Sequence, residues 1–391
     1  MAFHGRCSLF GDRQRLLFPV DMSVTSSSDR AAQQQLLASA LMDGNCTGMI
    51  ISELEDSEVF QDVRATVEEA GKAHSLLSQE QFVVVASTSA SCAVEEIPSR
   101  VEQVLGELQR QQLDMLLLHA RSLAESRDIY TRKRVVLHAW EQMLAIQQTG
   151  LVRSIGVSDL SVQDVEFLLT AYPDNPPEAW AVEVLLPGMI PPSSNANVPL
   201  EDATAFAHAH SIDLLVHFPV TKLQSLQSLE DWRLLTEQIA ERHRQRPFKF
   251  LVTHEHGGVA DTFHMESRVA NDTTALQSPL QIIVRYLLQK GLVLIPQASD
   301  PQVDDQAHVF SELFGPLSHP FTALHPSCSP HQLYSSILTR DDLAAIDRAL
   351  PLSVTFPPPT PATATGNDRF NVAQERSVYL SPTSSRPSTP E

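Results

Sequence analysis

The sequence predicts an α/β fold, a (β/α)8 TIM barrel, from three observations. Residues 113–159 contain a short apolar run, an amphipathic segment and a second apolar run, which is the pattern of a strand–helix–strand unit. The same alternation recurs along the chain and gives eight candidate strands. No Gly-rich GxGxxG turn follows any candidate strand, which favours a closed barrel over an open doubly wound sheet.

The unit at residues 113–159 predicts where the chemistry of such a barrel lies. Residues 115–118 are too few for an independent helix, so we interpret them as a buried strand. After them, apolar residues recur at helical spacing on one face: Val136, Ala139, Trp140, Met143 and Leu144. A right-handed crossover makes the two strands of the unit parallel, and their carboxyl ends carry His119 and Ser158.

The remaining elements follow from the same patterns. Strands are predicted at 16–24, 48–51, 82–86, 115–118, 154–157, 180–185, 212–218 and 292–296. Helices are predicted at 29–42, 61–74, 95–111, 135–148, 162–171, 200–210, 229–242, 280–289 and 340–350, with Ser28 as a candidate cap of the first. Residues 253–277 predict an irregular surface loop, and we interpret its His254 and His256 as solvated rather than metal-binding.

The chain is predicted to form one domain between two terminal segments. Residues 1–15 are predicted to be a flexible N-terminus, and residues 16–355 the barrel. From residue 356 to 391 the composition becomes rich in Pro, Ser and Thr and poor in aliphatic residues. Such a segment buries too little apolar surface to fold, so we expect a disordered tail.

Composition excludes several classes of partner. The chain has 28 Lys and Arg against 47 Asp and Glu, a formal net charge of −19, which repels phosphate backbones and anionic membranes. Cys7, Cys46, Cys92 and Cys328 lie far apart without CxxC spacing, which disfavours a disulfide framework or a metal site. Neither a bilayer-spanning run nor a signal peptide is recognisable, so we expect a cytoplasmic location.

Three stretches resemble the aldo-keto reductase superfamily: LDMLLLHA followed by GLVRSIGVSDL, then WAVEVL, and finally VRYLLQKGLVLIPQAS. The similarity extends over residues 50–350. It implies a barrel of eight parallel strands that binds NADPH and reduces a carbonyl by hydride transfer. In that family a tyrosine gives the proton, helped by a lysine, an aspartate and a histidine.

The residues at these four positions are mostly of other types. The family turn DTAxxYG resembles EDSEVFQ here, which puts Glu55 at the aspartate position and Phe60 at the tyrosine position. The lysine position resembles Thr88, or Ser87 with a shift of one residue, and only His119 matches. Phenylalanine has no hydroxyl, and neither Thr nor Ser supplies a cation, so the resemblance implies no catalytic residue.

The cofactor positions are altered as well. The family dipeptide SN after the fifth strand resembles Ser158 and Asp159, and NQ at the sixth resembles Trp180 and Ala181. Alanine removes the donor and the acceptor that glutamine offers to the nicotinamide amide. The phosphate-binding PKS resembles PQAS at residues 296–299, with glutamine in place of lysine. We therefore expect no cofactor.

The stretch VLLPGMIPPSSNANVPLEDATAFAHAHSIDLLVHFPVTKL, with SIGVSDL before it, resembles one family inside the superfamily more closely. This is the regulatory (modifier) subunit of glutamate–cysteine ligase, a reductase-like barrel without reductase chemistry. The resemblance implies a heterodimer with the catalytic subunit, which joins glutamate to cysteine using ATP in the first step of glutathione biosynthesis. It also implies improved substrate affinity and weaker feedback inhibition by glutathione.

Two other hypotheses stay open. The chain is an NADPH-dependent aldo-keto reductase-like oxidoreductase with a degenerate active site, or a scaffold that uses the barrel for an unrelated purpose. Phe60 discriminates between these hypotheses, because a reductase needs another hydroxyl in this turn and the only ones between residues 50 and 64 are those of Ser52 and Ser57. Serine is a far weaker acid than tyrosine and a poor proton donor. We expect a non-catalytic regulatory subunit without cofactor or metal.

Overall fold

The structure is a computed structural model. It describes residues 16–20, 26–42, 48–52, 54, 59–73, 82–90, 96–119, 129–185, 197–219, 230–244, 248–256, 259–267, 279–297 and 338–355. Residues 1–15 and 356–391, predicted to be a flexible N-terminus and a disordered tail, lie outside these ranges, as do all four cysteines.

Eight parallel strands close into a barrel. They are β1 Leu17–Val20, β2 Gly48–Ile51, β3 Val83–Ser89, β4 Leu113–His119, β5 Val152–Ser158, β6 Ala179–Leu185, β8 Asp213–Pro219 and β11 Val293–Gln297. Each pairs in parallel with the next in this order. A parallel bridge between Leu16 and Leu294 joins the last strand to the first. The predicted (β/α)8 barrel is therefore confirmed.

Nine helices belong to the described part of the chain. They are α1 Ser27–Met42, α2 Val59–Ala73, α3 Ile97–Glu107, α4 Ile129–Thr149, α5 Val162–Ala171, α6 Leu200–Ala209, α7 Glu230–Arg244, α8 Pro279–Gln289 and α9 Arg340–Ala349. Their ends have local causes. Ser161 and Asp164 form a capping box at the start of α5. Gly150 and Gly291 follow α4 and α8 with φ of 82° and 85°, a conformation that favours glycine.

Strand alternation divides the core into two layers. Side chains that point into the barrel form a separate apolar cluster: Leu17, Ile50, Val83, Val85, Met115, Leu117, Ala179, Ala181, Leu215, Val293 and Ile295. The intervening residues of the same strands pack outward against the helices in a larger cluster. An eight-stranded barrel is just wide enough for side chains to fill, so its interior is a plug rather than a channel.

Two short strands extend the sheet beyond the end of β5. These are β7 Asn197–Pro199 and β12 Ser353–Thr355. β12 pairs antiparallel with the end of β6 and with β7. Glu183 pairs with His217 of β8 and with Thr355 of β12, so β12 lies on the side of β6 where β5 has ended. The chain from α9 onward is thus attached at the carboxyl ends of the strands, which we call the barrel mouth.

The structure differs from the sequence-based prediction at several places. The prediction of an irregular loop at 253–277 is wrong for its first half. There β9 Phe248–His256 and β10 Val259–Ser267 form an antiparallel hairpin with nine residue pairs in register. Aromatic and β-branched residues recur through both runs, which suits a strand. Ser28 is not a cap, because α1 begins at Ser27.

No helix of the described part is both long enough and apolar enough to span a bilayer.

We expect the tail and β12 to contribute unequally to stability. A chain ended after Thr355 should unfold at the same denaturant concentration as the full chain, because residues 356–391 offer few aliphatic side chains to bury. A chain ended after Pro351 should lose about 3 kcal/mol or more, since Leu352 and Val354 are 6% and 0% exposed. Denaturation monitored by circular dichroism compares the three chains. Equal losses in both truncated chains would contradict this account.

Candidate functional site at the barrel mouth

A ring of polar residues stands directly above the apolar plug. On five strands the position two residues beyond a plug residue is polar: Ser52, Ser87, His119, Glu183 and His217; on β5, Ser158 follows the outward-facing Val157 and so also points inward. Each lies two residues beyond an inward-facing position of the same strand, so alternation places it on the same face. These six residues form the polar ring of the mouth. Functional groups of parallel barrels gather at this end, which makes the ring the candidate site.

The ring identifies which residue of β3 faces the mouth. Val83 and Val85 belong to the plug, so Ser87 faces inward and Thr88 faces the helices. Of the two residues predicted at the position of the family lysine, Ser87 therefore faces the mouth and Thr88 does not. Ser87 is 7% exposed, and its hydroxyl donates to the backbone carbonyl of Ser52. It links β3 to the end of β2 and supplies no cation.

Phe60, at the predicted tyrosine position, is the second residue of α2. It is 1% exposed and belongs to the outer apolar cluster, together with Leu54, Val59 and Val63. A phenyl ring offers no proton, and this one is fully packed in the layer between strands and helices. The structure therefore places no acid at this position.

His119, the matching residue, ends β4 and is half-buried. It is in direct register with Ser89 on one side and Ser158 on the other, and its backbone carbonyl accepts from Ala90 N at 2.9 Å. Pairing with both neighbouring strands thus fixes the backbone position of His119. The imidazole is a possible proton carrier, but within the described part no tyrosine or lysine belongs to the polar ring with it.

The end of β5 keeps an unusual backbone conformation. Ser158 is 4% exposed, and Asp159 follows with φ of 58°, in the left-handed region that aspartate tolerates better than most residues. Asp159 N donates to the carbonyl of Ala181 at 3.0 Å, which ties the turn to β6. Pairing of β5 with β6 ends at Ser158 and Ala181, and β6 pairs with β12 from Glu183 onward.

On β6 the two predicted cofactor positions have different surroundings. Trp180 faces outward, is fully buried, and donates from Nε1 to the carbonyl of Leu160 at 3.0 Å. Ala181 faces inward as part of the plug and is likewise fully buried. A methyl group therefore stands where the family offers an amide.

The remaining predicted positions lie at the edge of the described residues or outside them. Glu55, Ala298 and Ser299 lie outside the described residues, and of Gln297 the backbone alone is described, in register with Pro219.

Sequence reasoning missed Glu183 and His217. Both sit in strands that it predicted, WAVEVL and IDLLVHF, but neither matches a family motif. The signal was alternation: Glu183 is the single polar residue of its strand, His217 follows a run of three apolar residues, and both lie at inward positions near the strand end. Their register makes them neighbours on adjacent strands.

The described residues do not fit the nicotinamide group that the fold family implies. The ring as described contains one carboxylate and no lysine or arginine, and the β6 residue at the position of the family glutamine is Ala181. A dinucleotide carries several negative charges, which Glu183 repels rather than binds. Among the described residues, no group of three or more His, Cys, Asp or Glu is arranged to hold a metal ion.

A tyrosine, a lysine and an aspartate do meet elsewhere, but not at the mouth. Tyr286 donates its hydroxyl to Asp347 Oδ1 at 2.6 Å, and Lys290 Nζ lies 2.9 Å from the same carboxylate. Burial, together with the hydrogen bond to Asp347, holds the pKa of Tyr286 well above its usual value. Tyr286 and Asp347 lie on the helical layer, so this hydrogen bond links α8 to α9 and is not part of the polar ring.

Comparisons with known proteins give one consistent family. The model of the "Aldo/keto reductase family" matches residues 57–315, more than half of the chain. The chain is 19% identical to aldo-keto reductase family 1 member A1 of Mus musculus over 298 residues, covering 73% of this chain and 78% of that protein.

Solved structures show the same fold. An aldo/keto reductase from Brucella melitensis is 18% identical, covers 86% of this chain and 94% of its own, and gives a TM-score of 0.53. The aldose reductase from Schistosoma japonicum is 16% identical, with coverage of 85% and 87% and a TM-score of 0.52. At these identities the likeness concerns the fold alone.

We expect that Phe60→Tyr destabilises the protein rather than restoring a site. A hydroxyl placed in this packed apolar layer without a partner costs about 1–3 kcal/mol. Phe206→Tyr is the matched control: its ring is half-buried and the change should stay within about 0.5 kcal/mol. Urea denaturation measures both. An unchanged stability of Phe60→Tyr would mean that the hydroxyl finds a polar partner.

Proposed function

The chain belongs to the aldo/keto reductase family, and from this premise and the altered mouth we propose that it is a non-catalytic regulatory subunit. Its partner is the catalytic subunit of glutamate–cysteine ligase, with which it forms a heterodimer. Its effect is to tune the substrate affinity of the ligase and its inhibition by glutathione in glutathione biosynthesis.

The observation that carries the first half of the proposal is the packing of Phe60. Carbonyl reduction builds negative charge on oxygen, and a positioned acid that quenches it contributes about 10²–10⁴ in rate. The tyrosine position holds a buried phenyl ring, and Ser87 on β3 is hydrogen-bonded to the backbone. Loss of the acid and of the cation together argues against reductase turnover.

The partner rests on the sequence resemblance, whose residues lie together in the fold. Within residues 179–219 the described elements are β6, β7, α6 and β8; β6 and β8 are neighbours in the sheet, and β12 connects β6 to β7. Leu200, Ala203 and Ala207 bury one face of α6, while Glu201 and His208 face outward. The resemblance therefore covers both core positions and a surface that a partner can contact.

A barrel without chemistry can still regulate. A subunit that binds one state of an enzyme better than another shifts the equilibrium toward that state by the difference in binding free energy. Couplings of about 1–3 kcal/mol are typical and change affinity by roughly 5–150-fold. No group of this chain needs to enter the active site of the ligase.

The second candidate is an oxidoreductase with a degenerate site. Two observations favour it: the relatives that the chain matches are named as reductases, and His119 keeps the family position at the mouth. On this hypothesis the protein itself consumes NADPH in the presence of a carbonyl, whereas a regulatory subunit acts only when the ligase is present.

We expect the full chain, added at saturating ratio to its cognate ligase catalytic subunit, to lower the Michaelis constant for glutamate or to weaken inhibition by glutathione. The change should lie within about 5–150-fold. Steady-state ligase kinetics with and without the chain measure it, and co-elution in size-exclusion chromatography reports the complex.

The matched control is the mouse relative, aldo-keto reductase family 1 member A1, which shares the family fold but is only 19% identical. It should leave the ligase kinetics unchanged. If this chain likewise neither alters the kinetics nor co-elutes, the regulatory proposal is abandoned and the oxidoreductase hypothesis takes its place.

A further inference from the structure

Residues 338–355 connect the outer helical layer to the barrel mouth, and we call them the strap. The strap contains α9, which lies beside α7, and β12, which pairs with β6 and β7 at the mouth. Only residues 350–352 separate the two elements. Because this connection is so short, a displacement of α9 is transmitted to β12.

The helix of the strap buries fewer apolar side chains than α3 does. The buried residues of α3 are all apolar: Ile97, Val101, Val104 and Leu105. The buried residues of α9 are Ile346 and Asp342, one of which is charged. Segments with few buried apolar side chains open at a lower free-energy cost than the rest of a fold. The attachment of α9 therefore depends on polar contacts to a larger extent.

An ion pair between α7 and α9 is the most asymmetric of these contacts. Arg242 Nη2 donates to Asp342 Oδ1 at 2.5 Å, and Asp342 Oδ2 accepts from Thr339 N at 2.9 Å and from Thr339 Oγ1 at 2.7 Å. The Asp342 side chain is 1% exposed and that of Arg242 is 49% exposed. A buried carboxylate that loses its counter-charge is strongly destabilised. The buried half of the pair thus belongs to the strap, and the half that solvent reaches belongs to α7.

Two more contacts join the strap to α8. The Asp347 carboxylate accepts from the Tyr286 hydroxyl at 2.6 Å and lies 2.9 Å from Lys290 Nζ. The side-chain amide of Gln289 donates to the Leu338 carbonyl at 3.1 Å and accepts from the Leu338 backbone N at 2.7 Å. The strap is therefore held at one end by polar side chains of the outer layer and at the other end by sheet pairing.

We propose that the strap opens as one cooperative unit, that the Arg242–Asp342 pair controls this opening, and that opening exposes the edge of β6 at the barrel mouth. Residues 183–185 of β6 are in register with β12, and Leu200 N donates to the Leu352 carbonyl at 3.0 Å. Both connections are lost when the strap leaves. A strand edge that has lost its neighbour presents backbone donors and acceptors to another chain. A change at the surface of α7 is thereby coupled to the mouth. The inference concerns the chain by itself and does not depend on the ligase as its partner.

Hydrogen–deuterium exchange of the full chain, followed by mass spectrometry, tests the opening. Amides of α9 and β12 should share one level of protection, lower than that of β4 in the barrel. Arg242→Gln should lower the protection of both elements, and of residues 183–185, at least about tenfold, because it leaves the Asp342 carboxylate buried without this cation. The protection of β4 should stay unchanged.

The matched control is Arg233→Gln on the same helix. Arg233 Nη1 lies 2.6 Å from Glu237 Oε1, and both side chains are about half exposed. The substitution removes the same charge and breaks an ion pair within α7, and such exposed pairs contribute little to stability. The protection of the strap should stay within about twofold of the native value.

Asp342→Asn shows whether Arg242 acts through Asp342. Asparagine keeps an oxygen acceptor for Thr339 but carries no charge. In this background the further change Arg242→Gln should alter the protection of the strap by less than about twofold, because the charge that Arg242 neutralises is gone. A further loss of about tenfold would overturn the role of this pair.

Three other results overturn the proposal: protection of the strap as high as that of β4, an effect of Arg242→Gln that is confined to α9, or equal effects of Arg242→Gln and Arg233→Gln. If Arg242→Gln does not fold, Lys290→Gln takes its place. It removes the cation beside the partly exposed Asp347 and should lower the protection of α9 and β12 by roughly 2–5-fold. Unchanged protection in this variant again overturns the proposal.

Discussion

Closure of the parallel sheet is the constraint on which this structure depends. Once the Leu16–Leu294 bridge joins the last strand to the first, every strand has one face inside and one outside, and alternation decides which residue does what. The same rule that puts Leu117 in the plug puts His119 at the mouth, and the rule that puts Ala181 inside turns Trp180 toward the helices.

This constraint explains how the residues of the mouth can differ from the family pattern while the core is kept. The residues of the plug are apolar and fully packed, and the outer layer, with Phe60 in it, is equally well buried. The mouth makes little contribution to either layer, so its residues are free to change without loss of the core. Family membership then describes the plug and the helices, and the site must be judged from the ring.

Much of this could be predicted from the sequence. Local propensity predicts strands such as β3, which has a run of valines. Turn chemistry predicts the ends of the helices that precede Gly150 and Gly291. β7 and β12 could not be predicted, because each has three residues and forms only by pairing with residues far away in the chain. The hairpin of β9 and β10 was predicted to be a loop because polar and apolar residues do not alternate strictly in either strand.

The site shows the same division. His119 and Ser158 could be predicted because they end apolar runs, which needs only local pattern. Choosing between Ser87 and Thr88 requires knowing which residues of β3 face the barrel interior. The family motif matches this strand only to within one residue, so it does not give that information. Glu183 and His217 were missed because alternation predicts only that each faces inward, and their adjacency follows from the register between two strands.

The central proposal is that this reductase-family barrel performs no reductase chemistry, and single-turnover absorbance at 340 nm tests it most directly. The full chain is mixed in excess with NADPH and a panel of aldehydes and ketones, and the loss of NADPH is followed with and without protein. The account predicts the same slow loss in both. Rapid, protein-dependent oxidation of NADPH that disappears in His119→Ala would contradict it.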